Sequence, residues 1–149
     1  MIISVKNAAR IAGLLFLIQL ITYFVGNQIL LHTIVSAPDL LNSCLDNSNT
    51  LVLSVILELI CGASVVGISV ILYPILKQFS QRIALWYVGF RLIEFSIIAI
   101  SKIKILTLLR LSREYKDLGG HEITNYKTLS SALLAEHSIA ILMTMIFLD

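Results

Sequence analysis

Arg91 and Glu94 lie three residues apart within the apolar stretch from Ile83 to Ile100. On a helix that spacing puts a guanidinium and a carboxylate on one face, close enough to pair. The stretch has the composition of a membrane span, where a charged side chain near the middle costs roughly 2.5 to 3.5 kcal/mol on insertion scales. Ionisable groups in such a place turn towards a partner or an aqueous space. Glu58, in the apolar run Leu51 to Leu72, and Gln19, in Ile11 to Leu31, are further polar groups at similar depth. At 1.5 Å per residue, Glu58 falls about 10 Å below the outer edge of the bilayer core, Glu94 about 13 Å and Arg91 about 18 Å. An arginine side chain can bridge that difference between neighbouring helices. The expected site is therefore a cluster of Glu58, Arg91 and Glu94, with the amide of Gln19 filling the arginine's remaining donors.

Two chemistries fit such a cluster. The first is structural: an ion pair that decides which helices pack together where lipid removes most of the hydrophobic drive. The second follows from one arginine facing two carboxylates, a formal charge of minus one that can hold a proton or a cation. That arrangement suits a small proton-linked transporter or carrier. A membrane-embedded enzyme ranks last, because no nucleophile and base stand at workable spacing and no metal set is present.

The elements that must position these groups are legible in the composition. Of 149 residues, 58% are hydrophobic and 13% charged, and the mean hydropathy is +0.93. An average soluble domain is about 25% charged, so the chain reads as an all-α, multi-pass transmembrane helical bundle. A bilayer core of about 30 Å needs about 20 helical residues. Three segments, 11–31, 51–72 and 83–101, meet that length. A fourth, 130–148, is interrupted by Glu136 and His137 and stops at Asp149 without a basic or aromatic anchor, so it reads as an incomplete span in a chain cut short. Pro74 marks a kink or the exit of the second span. Residues 32–50 read as a loop on the non-cytoplasmic side and 102–129 as a polar loop, with Ile103 to Leu111 able to continue as an interfacial helix.

Within the spans, helical period sets Tyr87, Arg91, Glu94, Phe95, Ile98 and Ser101 on one stripe, opposite Ser54, Glu58, Cys61, Gly62, Val65 and Ser69 on another. Small residues spaced by four, Ala9 with Gly13 and Ala63 with Gly67, offer surfaces for close helix approach. Lys6 and Arg10 before the first apolar run fit a signal peptide as well as a first span. The small-residue site Val35, Ser36, Ala37 lies far beyond that run and is followed by Pro38, so an uncleaved helix is the reading. An inside N-terminus places Lys6, Arg10, Lys77 and Arg82 in the cytoplasm, yet it puts six basic residues between Lys102 and Lys127 outside. Snorkelling of Lys102 and Lys104 at the helix end reduces that conflict without removing it.

Other candidates are bland. His121 and Glu122 begin a metalloprotease-like pair, but position 125 is Asn125, so the second histidine is missing and the segment reads as a solvated loop. Gly119 and Gly120 read as a hinge without phosphate-cradle spacing. Glu136 and His137 are adjacent and point to different faces of a helix. Cys44 in a polar loop and Cys61 in a span read as unpaired, and Trp86 with Tyr87 as an interfacial belt. No cofactor or metal site is expected. A net charge of +2 and the lack of any RNA- or DNA-reading motif exclude nucleic acid as a partner. The expected partners are the lipid bilayer, further copies of the chain or other membrane proteins.

Four stretches carry a family likeness: "ARIAGLLFL" from Ala9, "LYPILK" from Leu72, "ALWYVGFRLIEFSIIAI" from Ala84 to Ile100, and "LSREY" from Leu111. Together they resemble the bacterial membrane proteins grouped as domain of unknown function 4386. The resemblance implies a multi-pass helical protein of the bacterial inner membrane, with about six spans and no established activity. It implies the same residue types at Glu58, Arg91 and Glu94, an inside N-terminus, and later helices beyond those present here.

Overall fold

The computed structural model describes residues 5–37, 39–117 and 123–146. Among them every element is a helix. Helix α1 runs Val5–Val35, with Phe24–Leu31 wound as a π-helix. A short helix α2 spans Leu40–Asp46, α3 spans Ser48–Phe79, α4 spans Gln81–Asp117 and α5 spans Ile123–Ile146. Two of these, Val5–Val35 and Ser48–Phe79, are long and apolar enough to cross a membrane. Helix α1 packs on α3, α3 on α4 and α4 on α5, so the long helices form an arc.

Helix α3 continues through Pro74 to Phe79, so this proline does not mark the helix exit. The turn into α4 is confined to Ser80, whose extended backbone (φ −161°, ψ 122°) breaks the helix and whose hydroxyl accepts from the Ile83 amide at 3.5 Å. The inward stripe of α3 is as the 3.6-residue period requires: Ser54, Glu58, Cys61, Gly62, Val65 and Ser69 are all buried. At Gly62 side chains of α4 lie directly against the α3 backbone. A Cβ there would meet Cδ2 of Phe95 at 2.6 Å, inside contact distance, so only glycine lets the ring lie against the α3 backbone. At Gly26 of α1 a Cβ would meet Leu57, Ser54 and Glu58 at 3.2 to 3.3 Å, a tight fit though a less severe one.

The small-residue spacing was a weaker guide. Ala9, Gly13 and Ala63 are exposed, whereas a Cβ at Gly67 would meet Leu15 of α1 at 3.1 Å. Spacing defines a face without fixing which helix arrives there.

The expected polar loop 102–129 is not a loop over its first part. Helix α4 runs unbroken to Asp117, and α5 begins by Ile123, earlier than the 130 expected. The reason is a core that the charged residues hid in the sequence. Ile105, Leu108 and Leu109 recur at helical spacing and bury against Leu41, Cys44, Leu51 and Val55, with Leu31 and Ile34 completing the cluster. Residues 32–50, also read as a loop, supply part of it, since α2 lies against α4. Cys44 is thus fully buried. His121, Glu122, Gly119, Gly120, Pro38 and Asp149 lie outside the described residues.

Candidate functional site

The π-helical Phe24–Leu31 is a wide turn of backbone, closed by the His32 amide donating to the carbonyl of Asn27. Such segments are uncommon and recur at functional sites. Here it presses Gly26 against α3 beside Glu58, and the Asn27 amide donates to Oε2 of Glu58 at 3.4 Å. The same oxygen is in ion-pair contact with Nζ of Lys102 from α4. Both side chains are almost fully buried, at 6% and 3% exposed. Oε1 of Glu58 has no hydrogen-bond partner, and the Lys102 ammonium, although against Oε2, makes no well-directed hydrogen bond.

Arg91 donates to Oε2 of Glu94 at 2.6 Å, one turn along the same helix, and lies over the Tyr87 ring at 5.5 Å. The Glu94 side chain is 3% exposed and that of Arg91 22%. A third polar link ties α4 to α5, where Ser101 and Nδ1 of His137 share a buried hydrogen bond of 2.5 Å. Lys104 and Glu136 pair nearby at the surface. Adjacent His137 and Glu136 therefore face different surroundings, one buried and one exposed.

A cavity of about 250 Å³ opens between α1, α3, α4 and α5. Of the four residues expected to cluster, Gln19, Glu58 and Glu94 line it, together with Lys102 and Asn27. Arg91 is held by Glu94 and is not on the wall. Glu58 meets Lys102 instead. Arg91 and Lys102 are 11 residues apart, about 16 Å along a helix axis, so one cation serves each carboxylate. Two acids then face two bases, and the surplus negative charge expected of Glu58, Arg91 and Glu94 is balanced. Among the described residues no group of three or more His, Cys, Asp and Glu gathers to hold a metal ion.

A family model described as Domain of unknown function (DUF4386) matches residues 11–148. The chain belongs to that family. No curated protein and no solved structure matches it. In this DUF4386 chain Lys102 is the polar residue that sequence reasoning missed, having been assigned to snorkel at a helix end. A signal was present: Lys102 follows Ser101 on the stripe of Arg91, Glu94 and Ile98. The height of Lys102 opposite Glu58 does not follow from the limits of the apolar runs, because α3 and α4 extend well past them.

Proposed function

We propose that the chain is a multi-pass membrane protein of the bacterial inner membrane, and that Gln19, Glu58, Arg91 and Glu94, with Lys102, form an internal polar framework that fixes how its helices pack. The observation carrying this reading is the buried Glu58 and Lys102 pair, which joins α3 to α4 with Asn27 of α1 on the same carboxylate. The outward surface supports the setting. Leu14, Phe16, Leu17, Leu20, Ile21 and Phe24 of α1 are each more than half exposed, a continuous apolar face suited to lipid. Spans at 83–101 and 130–148 belong to the same proposal, with α2 and the end of α4 forming a cap beyond the bilayer. Lys102 then leaves the count of outside loop charges, which eases the conflict with an inside N-terminus.

The alternative is a small proton-linked transporter or carrier using the same groups, favoured by the cavity that Glu58 and Glu94 share. The formal charge of minus one on Glu58, Arg91 and Glu94, which would favour it, is offset by Lys102. Reconstituted vesicles separate the two. On the framework reading, Glu94→Gln lowers the unfolding temperature and leaves any pH-driven flux unchanged; a Glu94→Gln protein that folds normally but loses such a flux overturns it.

A further inference from the structure

The cavity has a chemical signature of its own. Phe16, Leu20, Val65, Ile98 and Ile141 make its wall largely apolar. Glu58 and Lys102 stand on that wall, and each carries one buried polar atom without a well-directed hydrogen bond, the acceptor Oε1 of the acid and the donor Nζ of the base. The two belong to side chains already in contact, so the unused acceptor and the unused donor stand side by side. A buried polar atom left without a partner costs about 1 to 3 kcal/mol, so a group that completes both is favoured there.

We propose that this cavity binds a small amphiphile whose hydroxyl donates to Oε1 of Glu58 and accepts from Nζ of Lys102, with its apolar body lying along α1 and α5. A hydroxyl meets both needs with one oxygen. An ammonium is repelled by Lys102 and a carboxylate by Glu58, and the balanced charges of the two ion pairs leave neither sign in excess. An apolar cavity of about 150 Å³ holds a benzene molecule, so about 250 Å³ accepts a ring or chain of roughly six to nine carbons. Phe16 and Leu20 line the cavity while remaining 56% and 55% exposed, so it opens sideways onto the apolar face of α1. A ligand dissolved in hydrocarbon enters by that route. The inference is independent of how many helices cross the bilayer.

The full chain in amine-oxide detergent, which carries no hydroxyl, is photolabelled with an octanol bearing a diazirine and the modified residues are read by peptide mass spectrometry. Labelling is expected at cavity residues such as Val65 and Ile141, to fall at least fivefold with excess 1-octanol or 3-phenyl-1-propanol, and to persist with octane, octylamine or octanoate. Val65→Phe, which adds bulk to the cavity wall and leaves both charged side chains in the sequence, is expected to abolish it while cooperative unfolding is retained. Labels spread over the outer apolar faces and indifferent to Val65→Phe overturn the site. Equal competition by octane, octylamine or octanoate overturns hydroxyl recognition. In nanodiscs, competition by aqueous octanol alone marks a free alcohol as the occupant, and competition by a monoacylglycerol in the bilayer marks a lipid; both agree with the proposal.

Discussion

Lys102 of α4 neutralises Glu58 of α3 inside the bundle, although neither is the nearest charged residue to the other in sequence. Breaking such a pair from one side leaves a bare buried charge, which costs about 3 to 5 kcal/mol, whereas removing both charges is often neutral. Glu58→Gln and Lys102→Met are therefore each expected to destabilise the protein by about that amount, and the double variant to recover most of it. Denaturant unfolding in detergent, treated as a double-mutant cycle, reads the coupling; additive losses of the two single changes are the contrary result.

The Arg91 and Glu94 pair should respond asymmetrically. Arg91→Ala strands a carboxylate that is 3% exposed, with an expected loss of about 3 kcal/mol. Glu94→Gln leaves a guanidinium that is partly exposed and still rests on Tyr87, and about 1 kcal/mol is expected. Equal losses in the same unfolding measurement would show that Glu94 is not the desolvated member.

Contact between α3 and α4 depends on the missing side chain at Gly62. Because a Cβ would lie 2.6 Å from the Phe95 ring, Gly62→Ala forces the ring or the helix to move, with an expected loss of about 1 to 3 kcal/mol. Gly13→Ala has open space around it and should be neutral or slightly stabilising, since alanine is the better helix former. Thermal unfolding of both variants makes the comparison, and a Gly62→Ala protein as stable as the parent would mean that the helices pack differently.

Cys44, in α2 outside the proposed spans, has its thiol pushed up to about 11 by burial, with a smaller opposing effect from a hydrogen bond with Ser112. The sign follows directly: above the ordinary value of 9.0 the unfolded chain loses this proton while the folded one keeps it, so stability falls between pH 9 and about 11 and is unaffected by this group below pH 9. Cys44 should also resist maleimide at pH 7.5 in the folded protein. Peptide-resolved alkylation checks this, rapid modification at Cys44 being the adverse outcome.

Much of the bundle could be read from local pattern. The inward stripe from Ser54 to Ser69 and the pairing of Arg91 with Glu94 both follow from a period of 3.6 residues, which neighbours along one helix are sufficient to express. Helical class and the apolar runs follow from composition in the same way. The continuation of α4 to Asp117 was less visible, because Lys104, Arg110 and Arg113 masked the stripe of Ile105, Leu108 and Leu109 that α2 covers.

What sequence alone determined, then, is which face of each helix is polar and that an acid and a base on α4 are one turn apart. Tertiary structure decided that Glu58 belongs to Lys102 and that Gln19, Glu58 and Glu94 open onto one cavity. The physical reason is that relative height between helices is set by their true ends, by the close contacts that Gly26 and Gly62 permit and by the π-helical turn of α1. None of these is expressed in the periodicity of a single helix.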